Sequence, residues 1–165
     1  MSDGNAAEPP GGSDQVTIVL AAIDTSALTS RVVEMAARVA RRAWPNTELH
    51  LLHVFRSAPF DRPAAAGLQS DELIAEAQNH LDFHVRMARR QCTSPVIGHL
   101  AVGDPIQEIV GLARSLSADL LLLGMHDTAG LQKFLLGSVA EKVAKRAPCS
   151  VLMVRQKQRL NRKVA

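Results

Sequence analysis

Along most of its length the chain alternates between short apolar runs and longer segments whose apolar residues recur at helical spacing. The apolar runs are four to eight residues long and are typical of buried strands, which we predict at residues 16–23, 48–55, 96–102, 120–123 and 150–154. The intervening segments predict helices at residues 26–43, 71–90, 105–116 and 139–146. Strand and helix follow each other in turn, which favours the α/β class with a parallel sheet.

The composition agrees with a sheet that is covered by helices. Aromatic residues make up 3% of the chain and tyrosine is absent, so leucine, valine, isoleucine and alanine must form the core. We predict a doubly wound, Rossmann-like sheet of five parallel strands in the order 3-2-1-4-5, with right-handed crossovers placing helices on both faces. In such sheets, ligands bind where the strand order reverses, at the carboxyl ends of the strands. Asp24 ends the first strand and Gly124 the fourth, so we expect both to face one crevice.

The length of 165 residues predicts one folded domain, which we place at residues 15–155. Residues 1–14 are rich in glycine, proline and small polar residues and predict a disordered tail. Residues 156–165 form a basic tail that we expect to be solvated, with contact to RNA or a membrane as the alternative. Without the tails the body carries a net charge of about +2, which is too small for a nucleic-acid-binding surface.

The two cysteines and the apolar runs bear on the compartment. Cys92 and Cys149 lie far apart without motif spacing, so free thiols in a reducing cytoplasm are the simplest interpretation. The first residues lack the basic start and the apolar stretch of a signal peptide. Because no apolar run approaches the ~20 residues that a membrane-spanning helix needs, we predict a cytoplasmic protein without membrane contact.

Residues 124–138 have features of a phosphate-binding loop. Gly124 leaves a predicted strand, and Gly137-Ser138 opens a predicted helix whose free N–H groups attract anions. Asp127 opposes this interpretation, since two unit charges ~4 Å apart repel by ~4 kcal/mol at an effective dielectric constant of ~20. Solvent and salt reduce that repulsion. In addition, aspartate tolerates a left-handed backbone, and a bound Mg²⁺ would make Asp127 a ligand instead of a source of repulsion.

An ordered set of motifs over residues 16–154 resembles the universal stress protein family. Gly124, Gly137 and Ser138 fall at the spacing of the family signature Gly-x2-Gly-x9-Gly-Ser/Thr, and Asp127 stands at the second glycine. Three earlier segments also resemble the family: residues 19–26, which contain the strand-ending aspartate, residues 51–54, and residues 103–109. Residues 147–154 resemble its last strand.

The resemblance implies a set of nucleotide contacts. It assigns the nucleoside to Asp24, adenine to the backbone of Val54, and the phosphates to Gly124, Gly137 and Ser138. We add Val139 beside Ser138, and His126, which either contacts phosphate or fixes the loop. The cofactor is then ATP, with or without Mg²⁺, bound by a stress-response homodimer that pairs through the last strand. The alternative is an interaction module of the same fold that has lost nucleotide binding because of Asp127.

The remaining candidate residues offer little support for catalysis or metal binding. No residue has the pattern of a dedicated catalytic base, so slow ATP hydrolysis is the most that we expect, and an enzyme on a related fold is a weaker alternative. His80 and His84 are four apart on a predicted helix, but no third ligand adjoins them, so we favour a solvated or half-buried helix face over a metal site. We expect His53 and His99 to be packed and hydrogen-bonded.

Overall fold

The computed structural model describes residues 16–42, 46–56, 69–125 and 138–156. Its strands are β1 Thr17–Ile23, β2 Thr47–Phe55, β3 Val96–Val102, β4 Leu120–Gly124 and β5 Ser150–Val154. Its helices are α1 Thr29–Arg42, α2 Gln69–Arg89, α3 Pro105–Ser115 and α4 Ser138–Arg146. The nine elements match the predicted ones in type and order, and most of their ends lie within two residues of the predicted positions.

The five strands form one parallel sheet in the order β3-β2-β1-β4-β5, which confirms the predicted architecture. β1 is central, and its Val19 lies between Leu49 of β2 and Leu120 of β4. Val19, Leu20 and Ala21 are fully buried because helices cover both faces of the sheet at this strand. The strand order reverses between β1 and β4, and the cleft at their carboxyl ends is therefore the place where a ligand is expected.

Two apolar layers enclose the sheet. On one face α1 and α2 pack against β1 and β2, and alanines at 36, 37 and 40 let α1 approach closely. On the other face α3 and α4 pack against alternate residues of the sheet, among them Leu20 of β1, Leu52 of β2 and Leu121 of β4. Helix α2 also lies close to β3, since a Cβ added at Gly98 would be 2.9 Å from Cγ2 of Val85.

Two helix starts show how local hydrogen bonds set element boundaries. Helix α1 begins at Thr29 instead of the predicted residue 26, because the amide of Thr29 donates to the carbonyl of Ser26 and residues 26–28 form a turn. Helix α3 begins as predicted. The Oδ1 atom of Asp104 accepts from the amides of Ile106 and Gln107, each at 3.0 Å, and a proline occupies the first turn.

Several predicted features lie outside the described residues. These are the N-terminal tail, the basic tail beyond residue 156, and most of the loop after β4, which includes His126, Asp127 and Gly137. Within the described ranges, none of the helices combines the length and the apolarity that crossing a bilayer demands.

Candidate functional site

A cavity of about 310 Å³ opens at the carboxyl ends of the central strands, on the face covered by α3 and α4. Ten described residues line it: Ala22, Ile23, Asp24, Val54, Pro105, Ile109, Leu123, Gly124, Val139 and Ala140. Its size is at the lower end of the roughly 300–1,000 Å³ typical of small-molecule sites. The structure thus brings together four residues that the sequence analysis singled out, namely Asp24, Val54, Gly124 and Val139.

The walls of the cavity are apolar. Ala22, Val54 and Leu123 form its floor on the sheet, and Pro105 and Ile109 of α3 form a side wall. These two α3 residues were not predicted to belong to the site, although both lie in the segment 103–109 that resembles the family. The available signal was the Asp104-Pro105 cap directly after β3, which places the start of α3 at the same end of the sheet. Among the described lining residues, Asp24 carries the one titratable side chain, so the described walls favour binding of a flat, weakly polar group.

Asp24 lies at the rim of this cavity in a turn that its own carboxylate stabilises. The Oδ1 atom accepts from the Ser26 amide at 3.0 Å and from the Ser26 hydroxyl at 2.6 Å. The buried hydroxyl of Thr29 lies 2.8 Å from Oδ1 and 2.5 Å from the Asp24 carbonyl, and its single hydrogen can serve one of them at a time. The Asp24 side chain is exposed but held in a defined orientation.

Helix α4 begins at the cavity. Val139 and Ala140 line it, and the amides in the first turn of a helix have no partner within the helix. The positive end of the helix dipole adds to the attraction that such a terminus has for anions. Ser138 is the first residue of α4, but its side chain lies outside the described part of the structure, as do Gly137 and His126. Glu141, in the first turn of α4, accepts a hydrogen bond from Lys145 at 2.7 Å.

Gly124 is required by packing as well as by any approach of a ligand. A Cβ at this position would lie 3.2 Å from Cδ2 of Leu28 and 3.4 Å from Cγ2 of Val32. Both side chains belong to the α1 side of the sheet, opposite to the cavity floor. The glycine therefore allows β4 to end close under the start of α1, a reason that the sequence analysis did not give.

The five histidines within the described residues form two clusters on opposite faces of the sheet. His53 and His99 are packed and hydrogen-bonded, as predicted: the Nδ1 atom of His53 lies 3.1 Å from the Ile23 carbonyl, and the Nε2 atom of His99 lies 2.8 Å from Nδ1 of His50. The solvated or half-buried face predicted for His84 is wrong, since His84 is 4% exposed. It is buried because α2 turns this face toward the sheet, where the ring of His84 meets that of His80.

Burial sets the protonation of these groups and of the thiols. Desolvation lowers the pKa of His53, His84 and His99 below the usual value, and a neighbouring histidine ring lowers each further. Desolvation raises the pKa of Cys92 and Cys149, so both free thiols stay protonated at neutral pH. In the part of the chain that the structure describes, no three histidine, cysteine or acidic side chains converge as metal ligands.

Known proteins share both the sequence pattern and the fold. The Universal stress protein family matches residues 16–155. Universal stress protein A homolog 1 of Coxiella burnetii is 32% identical over 85% of this chain and 96% of its own length. Universal stress protein MJ0531 of Methanocaldococcus jannaschii is 35% identical over 67% of this chain, which spans 66% of that relative.

Two solved structures with nucleotides are similar to this chain. A universal stress protein in complex with cAMP superposes with a TM-score of 0.63 at 26% identity, covering 86% of this chain and 98% of its own. The universal stress protein of Archaeoglobus fulgidus in complex with dAMP superposes with a TM-score of 0.62 at 26% identity, covering 84% and 97%. The match over residues 16–155, together with the strand order, shows that this chain belongs to the universal stress protein family.

Proposed function

We propose that the chain binds an adenine nucleotide, with ATP as the leading candidate, in the cavity between β1, β4, α3 and α4. The observation that carries this proposal is the convergence of three features on one cavity: apolar walls, an oriented carboxylate and a helix N-terminus. Relatives of the same family have been solved with cAMP and with dAMP, which supports an adenine ring as the group that the apolar part accepts.

The lining residues fit the parts of a nucleotide. Ala22, Val54 and Ile109 offer an apolar slot for the base, with the backbone of Val54 as the proposed adenine contact. Asp24 at the rim is an acceptor suited to a ribose hydroxyl. The first turn of α4 at Ser138 and Val139 offers amides for phosphate, and Gly124, His126 and Gly137 belong to the loop that we assign to the same group.

Asp127 decides how strongly a triphosphate binds. If its carboxylate faces the phosphates directly, repulsion weakens binding, and Asp127→Gly tightens it. If Mg²⁺ bridges Asp127 and the phosphates, the same substitution weakens binding. The competing function is an interaction module of this fold that binds no nucleotide, and the identity of residue 127 is the observation in its favour.

We further propose that the folded domain spans residues 15–155 and works in the cytoplasm as a stress-response homodimer. β5 lies at one edge of the sheet, and its Leu152 is 37% exposed. An apolar edge strand tends to pair with another chain, and a two-fold partner strand would satisfy it. Two free cysteines agree with a reducing compartment. With Asp24 as the titratable group among the described lining residues, binding is a better-supported role than catalysis, and any ATP hydrolysis is expected to be slow.

Calorimetric titration of nucleotide-stripped protein with ATP, with and without Mg²⁺, tests the proposal. We expect micromolar or tighter binding, and Mg²⁺ dependence would identify the metal-bridged form. Ile109→Trp, which fills the slot, should abolish the heat, whereas the matched control Ile97→Trp alters a half-buried β3 residue outside the cavity lining and should leave it unchanged. Absence of heat at millimolar ATP, with an unchanged melting temperature, would favour the interaction module.

A further inference from the structure

Three histidines converge behind the turn that carries Asp24, on the face of the sheet opposite to the cavity. His53 comes from β2, and His80 and His84 come from α2. The ring centroids of His53 and His80 are 5.2 Å apart, and those of His80 and His84 are 4.6 Å apart. His53 and His84 are 5% and 4% exposed. We call these three residues the histidine cluster.

Two members of the histidine cluster form hydrogen bonds to main-chain carbonyls at the end of β1. The Nδ1 atom of His53 lies 3.1 Å from the Ile23 carbonyl, and Nε2 of His80 lies 2.9 Å from the Asp24 carbonyl. A carbonyl oxygen can only accept, so both ring nitrogens carry a hydrogen, and the tautomers of the neutral rings follow from this. Helix α2 is thereby joined to the turn that orients the Asp24 carboxylate, across 56 positions of sequence.

The histidine cluster is poorly suited to carry more than one positive charge. Nδ1 of His84 is buried and has no hydrogen-bond partner among the described residues. Among the described residues, Asp24 is the acidic group that acts on the cluster, through His53, while the rings act on one another as like charges when protonated. The residues that β3 turns toward α2 are apolar or glycine, namely Val96, Gly98 and Leu100. On α1, Glu34 is paired with Arg31 and Arg38.

We propose that the histidine cluster is a proton-sensitive device that positions Asp24, so that the cavity binds its ligand when the cluster is neutral and releases it on acidification. This inference rests on the proposed function. A second positive charge is unfavourable in the cluster, because the centroids of neighbouring rings are 5.2 and 4.6 Å apart and two of the three rings are buried. Moving α2 away from β2 separates His53 from the two rings of α2 and lets water reach all three, but it breaks the bond from His80 to the Asp24 carbonyl. Asp24 then loses a constraint on its orientation.

The binding test compares ATP affinity at pH 7.5 and 5.5 by calorimetry in the full chain. We expect the wild type to lose about tenfold in affinity at pH 5.5, within the range of ordinary coupling between sites. His84→Leu removes a titrating ring but no carbonyl bond, so it should keep the affinity at pH 7.5 and reduce the pH dependence. Because the ionisation of ATP is common to all variants, differences between them report on the protein. Equal pH dependence in the wild type and His84→Leu would overturn the proposal.

The positioning role has its own pair of variants. His80→Leu removes the donor to the Asp24 carbonyl and should weaken ATP binding at pH 7.5, whereas His80→Gln keeps an N–H donor at similar reach and should restore it. His99→Gln changes the histidine pair on the opposite face and is the control that should alter neither affinity nor its pH dependence. If His80→Gln binds as weakly as His80→Leu, the hydrogen bond is not the cause.

A measurement without nucleotide separates this inference from the proposed function. In the free protein, the amide resonances of residues 24–26 should shift with pH in parallel with the ring resonances of the histidine cluster, and His80→Leu should abolish that response. If ATP gives no heat while these amides follow the cluster, the proposed function fails and the positioning of Asp24 stands. If the amides do not respond, the inference is overturned whatever ATP does.

Discussion

Mild acid should destabilise this fold well before its carboxylates titrate, because three of its histidines are held in their neutral form. Burial lowers the pKa of His53, His84 and His99, and in each case a neighbouring histidine adds to the effect. In the unfolded chain these side chains have the ordinary pKa of about 6.5. The folded protein therefore binds protons less readily than the unfolded chain does.

The sign and the size of the effect follow from proton linkage. Well above pH 6.5 both states are neutral at these positions, and the histidines contribute no pH dependence. As the pH falls through 6.5, these histidines take up protons in the unfolded chain but stay neutral in the folded protein. The free energy of unfolding therefore decreases until the pH reaches the lowered pKa of the folded state. Between pH 7.5 and 5.5 the loss is at most about 1.4 kcal/mol for each histidine, which gives a ceiling of about 4 kcal/mol for three.

Urea unfolding followed by circular dichroism at pH 7.5 and 5.5 measures this loss. His99→Gln and His84→Leu each remove one of the titrating groups, and they lie on opposite faces of the sheet, so each should shrink the pH-dependent loss, and their effects should add. The comparison uses the change with pH within each variant, which cancels the cost of the substitution itself. A loss below about 0.5 kcal/mol in the wild type, or a full loss in both variants, would refute the linkage argument.

Three further predictions concern stability. Ser117 has φ 52° just after α3, where glycine is normally preferred, so Ser117→Gly should raise the free energy of unfolding in urea by about 0.5–1 kcal/mol. Ser117→Ala keeps the backbone strain, and an equal gain in that variant would contradict the reasoning. Gly124→Ala should cost about 1 kcal/mol by pressing on Leu28, whereas Gly111→Ala, in open space on α3, should not destabilise. Asp104→Ala should cost about 1 kcal/mol through loss of two capping bonds, and Asp104→Ser should recover most of it.

The sequence predicted elements and topology well because these depend on local patterns and on one general rule. Apolar periodicity placed β3 and β5 at their observed residues, since a buried strand needs a continuous apolar run. The handedness of crossovers then restricted the strand order to very few choices. The start of α1 was predicted three residues too early, because periodicity does not register a side-chain turn such as that of Asp24 and Ser26.

The cavity was predictable in outline, because the carboxyl ends of parallel strands meet at one edge and the ends of β1 and β4 were visible as Asp24 and Gly124. Its side wall was not, since Pro105 and Ile109 reach the cavity through the crossing of α3 over the sheet. The reason for a glycine at position 124 was also predicted only in part. A pattern that shows a glycine does not show which neighbour requires it, and here the neighbours are Leu28 and Val32 of a different element.

The contacts of His80 and His84 could not be predicted from the sequence. Two histidines four apart on a helix share one face, and that spacing is the same whether the face meets solvent, a metal or another ring. What separates these cases at His80 is a hydrogen bond to a main-chain carbonyl 56 positions away, and at His84 it is the burial of the ring itself. By contrast, the bonds from Asp24 to Ser26 and Thr29 span five residues or fewer and form a motif that can be read locally. Two sets of contacts therefore orient Asp24. The contacts with Ser26 and Thr29 are local and can be predicted from the sequence, whereas the contact with His80 depends on how α2 packs against the sheet.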